Sequence, residues 1–310
     1  MPRALVFPGQ GAQYIGMSAS FAATVPAAKA LLDQADAILG FSLSAVIANG
    51  PEAELTRTDI SQPAILVASL MAFEALKAKG GVPEAQAVAG LSLGEYTALV
   101  AAGALEFADA VKLVRLRGEA MQAAAEAVPS GMVALIGPDE TTAQQLCDAA
   151  AEGEVLQVAN LNATGQVVIS GTKAACERAI AKAKDFGIRR AMALPVAGAF
   201  HSALMAPAAE RLKAAIAATR FSAPRIPVYA NVTAQPVTSA AEFPGLLVRQ
   251  LTSPVRWADS VIAMQQAGIG EFWEIGPNKH LSGMIARTVK DVVCKNLDKD
   301  EDLAAFAGPV

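Results

Sequence analysis

Apolar residues recur along this chain in two rhythms. Short, largely apolar segments at Ala4 to Phe7, Ala87 to Ala89 and Ile226 to Ala230, and the segment Glu271 to Ile275, have the length of strands. Longer segments between them space apolar residues three and four apart, as helices do: Phe21 to Leu39, Gln62 to Lys79, Glu95 to Ala102, about Phe107 to Val128, and Val255 to Gln266. Pro63 suits a first helical turn, Gly80-Gly81 ends the second segment and Gly103 closes the third. Strands alternating with helices predict an α/β layer around a largely parallel sheet. Between Pro129 and Pro195 the rhythm changes. Strand Met132 to Ile136, helix Thr141 to Ala151, strands Val155 to Ala159 and Gln166 to Ser170, helix Lys173 to Phe186 and strand Ile188 to Leu194 predict βαββαβ, a ferredoxin-like unit. The expected architecture is a discontinuous α/β core, 1–128 and 199–310, with an inserted small domain at 129–198. A cleft is expected at their junction.

Composition narrows the picture. With 53% hydrophobic and 17% charged residues the chain is globular, and 310 residues suffice for two cores. The net charge of −4 and the absence of a dense basic cluster argue against general nucleic-acid binding. The apolar stretch before Pro8 is too short for a signal-peptide core, and the uncharged stretch Ile60 to Phe73 falls short of a membrane span, so no membrane association is expected. Cys147, Cys176 and Cys294 are odd in number and widely spaced, which fits a reducing compartment better than disulfides or a zinc site. Two histidines, His201 and His280, do not make a histidine-rich metal centre. A cytoplasmic, monomeric protein is expected.

The chemistry concentrates at Gly90-Leu91-Ser92-Leu93-Gly94, a GxSxG segment between a strand and a helix. That context makes it a nucleophile elbow on a hydrolase-like core: glycines permit the sharp turn, and Ser92 stands at a helix N-terminus where free N–H groups can hold an oxyanion. A serine nucleophile needs a proton acceptor. His201, at the inferred domain junction, is placed better for that than His280. Arg117 interrupts the apolar stripe of its helix, formed by Ala110, Leu113, Val114, Ala120 and Met121. A guanidinium facing inward needs an anion, either a permanent partner such as Glu95 or Asp109 or the carboxylate of a substrate. The FPGQGAQ loop is no dinucleotide fingerprint, because Tyr14 stands at the third glycine position. It is either a source of a second oxyanion N–H or a plain strand-to-helix turn.

Taken together and in order, FPGQGAQ (7–13), GLSLGEY (90–96), RLRGEAMQ (115–122), NLNATGQVVISG (160–171), FHSALM (200–205), NVTAQPV (231–237), LVRQLTSPVRW (247–257) and EIGPNKHLSGM (274–284) resemble the malonyl-CoA:acyl carrier protein transacylase family of fatty acid synthesis. The resemblance implies that Ser92 is the nucleophile, His201 the base and Arg117 the grip on the malonyl carboxylate. It implies an oxyanion hole from the backbone N–H groups of Gln10 and Leu93, and a His201 oriented by the backbone carbonyl of Gln250. Met121 and Phe200 would line the acyl site, with Phe200 disfavouring a methylmalonyl group. Malonyl-CoA and acyl carrier protein would be the substrates, exchanged through a malonyl-serine ester without a cofactor. The acidic carrier would dock on Lys182, Lys184, Arg189 and Arg190 of the inserted domain, facing Arg287 and Lys290 on the final helix. One departure is Leu91, where many relatives carry His; the chemistry is expected to survive it. Asn160, Asn162 and Asn231 are expected to be structural. Three competing readings remain: a serine esterase, which has no need of Arg117; a noncatalytic carrier-binding relative, which has no need of Ser92 and His201; and an acyltransferase for branched extender units.

Overall fold

Ten strands form two sheets in the computed structural model, which describes residues 1–79 and 84–306. In chain order the strands are β1 (Arg3–Phe7), β2 (Ala87–Gly90), β3 (Ser130–Ile136), β4 (Leu156–Ala163), β5 (Gln166–Thr172), β6 (Arg190–Ala193), β7 (Val228–Tyr229), β8 (Pro236–Val237), β9 (Glu271–Ile275) and β10 (Val293–Leu297). The first sheet runs β10-β9-β1-β2-β7-β8, parallel throughout except for the antiparallel edge strand β8.

Its central strands are buried on both faces, as apolar parallel strands must be. Ala4, Val6, Ala87, Ala89 and Phe272 pack on one side against Trp257, Val261, Leu281 and Ile285. Leu5, Phe7, Val88, Trp273 and Ile275 face the other way, into the larger core that holds the helix Thr58–Ala78. That helix is the one element among the described residues long and apolar enough to cross a membrane, and 94% of its apolar window lies buried inside the protein.

The second sheet, β4-β5-β3-β6, is antiparallel. Period-two alternation decides its faces. Val133, Leu135, Val167 and Ile169 pack with Ala143, Cys147, Ala175 and Cys176 of the helices Glu140–Ala151 and Lys173–Lys182. Met132, Ala134 and Val168 turn toward the larger core. The two sheets are tied where Val255 donates to the Ala159 carbonyl and accepts from the Leu161 N–H, each at 2.9 Å.

Some boundaries differ from those expected. The segment Phe21 to Leu39 is two helices, Ala19–Thr24 and Pro26–Leu39, because Pro26 pushes Val25 into an extended conformation. Two short helices, Leu43–Asn49 and Glu52–Leu55, follow, and the helix expected from Gln62 starts at Thr58, which places Pro63 in its interior. Pro63 cannot donate to the Asp59 carbonyl one turn back, and the Arg115 guanidinium donates to it instead at 2.9 Å. Helix Lys173 to Phe186 tightens into a 3₁₀ turn at Ala183–Phe186, and Lys290 lies beyond the last α-helix, His280–Thr288. The Gly80-Gly81 stop falls outside the described residues.

Candidate active site

Strand β2 ends at Gly90 and the helix Gly94–Ala101 begins four residues later, so Ser92 sits on the turn between them with φ 52°. That left-handed conformation is costly for a residue with a Cβ and is held by its surroundings. A Cβ on Gly90 would lie 1.9 Å from the Gly94 carbonyl carbon, and one on Gly94 would lie 2.1 Å from the Phe7 carbonyl oxygen. Only glycine lets the turn close this tightly. Asn231 locks it from the side: its Oδ1 accepts the Ser92 N–H at 2.6 Å and its Nδ2 donates to the Gly90 carbonyl at 2.7 Å.

His201 also has a positive φ, 57°, and reaches the serine with Nε2 to Oγ at 2.8 Å. Its Nδ1 lies 2.8 Å from the backbone carbonyl of Gln250. A carbonyl oxygen can only accept, so Nδ1 carries the proton and Nε2, unprotonated, accepts the hydrogen bond of the Ser92 hydroxyl. Burial, reinforced by the Arg117 charge, pushes the imidazole down to about 4 despite the bond to Gln250. At neutral pH the histidine is therefore an uncharged acceptor.

Arg117 lies beneath this pair, 1% exposed, on the helix Phe107–Ala127. One guanidinium nitrogen donates to the Gln62 Oε1 at 2.8 Å; the other donates to Ser92 Oγ at 3.0 Å and to Gln250 Oε1 at 2.9 Å. Burial lowers its pKa. Neither Glu95 nor Asp109 is its ion-pair partner, and among the described residues it makes no salt bridge at all. Its ring-face neighbour is Tyr96, whose ring centre is 5.7 Å away. All its hydrogen bonds go to neutral oxygens, and the nearby Glu95 carboxyl acts on it without direct contact.

The glycine-rich loop after β1 closes over the elbow. A Cβ on Gly9 would come within 2.4 Å of the Leu91 carbonyl, so loop and elbow touch backbone to backbone. The N–H groups of Gln10 and Leu93 have no hydrogen-bond partner among the described residues. A cleft of about 420 Å³ opens above Ser92 and His201, lined from the first sheet's side by Gln10, Leu91 and Met121 and from the second's by Met132, Asn160 and Asn162. Phe200 and Met284 also line it. The Met121 sulfur accepts from Gln62 at 3.4 Å, which fixes the side chain against the guanidinium's own partner.

The family model for the acyl transferase domain matches residues 4–307. The chain belongs to that family. Among curated acyl transferases of this type, it is 44% identical to the malonyl CoA-acyl carrier protein transacylase of Escherichia coli K12, covering 97% of both chains. It is 46% identical to the protein of the same name from Bacillus subtilis, over 92% of this chain and 89% of the relative. The solved structure of a malonyl CoA-acyl carrier protein transacylase from Coxiella burnetii superposes with a TM-score of 0.96 at 40% identity, covering 99% of this chain and 96% of that one. A type II polyketide acyl-carrier protein in complex with its malonyl-transacylase matches with a TM-score of 0.94 at 39% identity, over 98% of each chain.

Within this acyl transferase the expected basic patch is uneven. Lys182 is engaged by Glu152 at 3.1 Å and Arg287 by the Gln166 side chain at 3.0 Å, whereas Lys184, Arg189 and Arg190 are exposed. Sequence reasoning did not place Gln62, which holds Arg117, and offered Glu95 only as an ion-pair partner of Arg117, whereas it holds Gln250 at 2.6 Å and the Asn231 N–H at 3.2 Å. Asn162 presents a buried Oδ1 without a partner at the cleft wall, beyond the structural role expected of it. No local pattern announces these three, since each acts through a neighbour distant in sequence.

Proposed function

We propose that this acyltransferase moves the malonyl group of malonyl-CoA to the phosphopantetheine thiol of acyl carrier protein through a malonyl-Ser92 ester. The observation that carries this reading is the Ser92 hydroxyl shared by His201 and by a buried guanidinium with no carboxylate of its own. An esterase needs the first contact and not the second. His201 takes the Ser92 proton, and the oxygen attacks the thioester carbonyl while the malonyl carboxylate docks on Arg117. The oxyanion rests on the Gln10 and Leu93 N–H groups, and His201 returns the proton to the departing CoA sulfur. The carrier thiol then gives its proton to His201, attacks the ester carbonyl, and Ser92 leaves with that proton.

The same reading divides the chain into a hydrolase-like core, 1–128 and 199–310, and a ferredoxin-like insert, 129–198, whose order β4-β5-β3-β6 suits that description. The insert forms one wall of the cleft, where the Asn160 and Asn162 amides can meet those of a pantetheine arm. Phe200, beside the base and 5% exposed, would crowd a methyl group on the malonyl carbon.

Intact-mass analysis tests the proposal. Incubation with malonyl-CoA alone adds one malonyl group to the wild type and none to Ser92→Ala, and the label leaves when a pantetheine thiol is supplied. Stoichiometric labelling of Ser92→Ala would remove the nucleophile from this account.

A further inference from the structure

Glu95 is 1% exposed and lies directly behind the elbow. Its Oε2 accepts from the Gln250 side-chain Nε2 and from the Asn231 N–H. The same Gln250 amide donates to the Ser92 carbonyl at 3.0 Å, and its Oε1 accepts from Arg117. The amide is thus held between an anion and a cation, which fixes which way it faces, and its backbone carbonyl holds His201. The reaction places a second positive charge beside Arg117 when His201 becomes an imidazolium, with only a carbonyl dipole opposite its Nδ1. A substrate carboxylate offsets one of these two cations. From these contacts, we propose that Glu95 is a positioning residue that supplies the second counter-charge, aligning Gln250 and favouring the imidazolium that forms during acyl transfer.

The inference rests on the malonyl-transfer reading above and adds a residue to it. Groups facing Glu95 are Arg117 from the helix Phe107–Ala127 and Tyr96 on its own helix, while His201, on the loop after β6, is reached through Gln250. Of the other elements packed on that helix, Thr58–Ala78 carries Asp59, which is paired with Arg57 and Arg115, β1 carries Arg3, paired with Glu271, and β7 carries Tyr229. Burial pushes the Glu95 carboxyl up to about 7, against the Gln250 and Asn231 donors and Arg117, so its charge changes near neutrality while that of His201 does not.

The test is the pre-steady-state rate of malonyl loading in wild type and Glu95→Gln between pH 5.5 and 9. Glutamine retains an oxygen for Gln250 and Asn231 and removes only the charge. At pH 8 the variant loads about tenfold more slowly, the difference between a charge-assisted and a neutral hydrogen bond. At pH 5.5 the two rates converge, because Glu95 is then neutral in the wild type as well. Equal rates at pH 8, or a deficit constant across the range, overturns the inference. Should the variant not fold, the wild-type profile alone decides: a rate that falls on the acid side of an inflection near 7 supports the counter-charge, and a flat profile overturns it. A wild type that takes no malonyl group at all overturns the transfer reading and this inference with it.

Discussion

On the proposed reading, Arg117 is the residue on which substrate choice turns. Its direct hydrogen bonds go only to neutral oxygens, and removing it strands Gln62 and Gln250 and, on that reading, the incoming carboxylate as well. Arg117→Ala is expected to lose on the order of 3 kcal/mol or more in kcat/KM toward malonyl-CoA. Use of acetyl-CoA, which has no carboxylate, should fall far less; equal losses for the two thioesters would make Arg117 a structural residue only. Two buried titratable groups also tie stability to pH. The folded chain keeps His201 neutral down to about 4, whereas the unfolded chain protonates it from 6.5, so acidification through that window favours unfolding. Glu95 works in the opposite sense: folded, it holds its proton up to about 7, while the unfolded chain releases it from 4.5, so stability is lost as pH rises between those values. Denaturant unfolding at pH 5 and pH 8 should show the stability difference between Glu95→Gln and wild type moving toward the variant by roughly 3 kcal/mol. A difference independent of pH would mean that the carboxyl titrates as it does in water.

At the scale of elements, the strand-turn-helix around Ser92 was legible because glycine, serine and flanking apolar residues carry the whole signal within fifteen positions. β9 was equally plain, with Phe272, Trp273 and Ile275 in five residues bounded by Gly270 and Gly276. The edge strand β10, Val293–Leu297, was not: Lys295 and Asn296 break the apolar run, and the strand exists because β9 offers it a parallel partner. The helix Ala206–Ala218 carries its buried stripe in Ala208, Ala209, Leu212 and Ile216 and lay within reach of periodicity. The side-chain contacts that complete the site were out of reach, since those of Asn231, Gln250 and Glu95 converge from three separate elements; the resemblance gave only the Gln250 backbone carbonyl on His201. The loop after β1 offers a direct test of its role. Only proline removes a backbone N–H, and it fixes φ as well; Gly9→Ala leaves the N–H but would force a Cβ within 2.4 Å of the Leu91 carbonyl and push the loop bearing Gln10 off the elbow. Malonyl loading by Gly9→Ala should drop at least tenfold, in keeping with the 10²- to 10³-fold value of one oxyanion donor. Unchanged loading would place the second donor elsewhere.

Across the whole molecule, the cleft is where two sheets with separate helix-packed cores meet, and the serine and histidine stand on its floor with the left-handed backbone that both adopt. Glycine takes that conformation freely, whereas other residues are strained there by about 1 kcal/mol or more. Glycine should therefore be the better replacement where alanine is normally preferred. Ser92→Gly is expected to melt above Ser92→Ala, and His201→Gly above His201→Ala, by scanning calorimetry; the reverse order at both sites would show that the backbone is relaxed. The pair is thus poorly matched to its own location in every respect but chemistry. A library of variants sorted for heat resistance alone, with no readout of acyl transfer, would drift toward glycine at both positions and deliver a sturdier protein that does nothing.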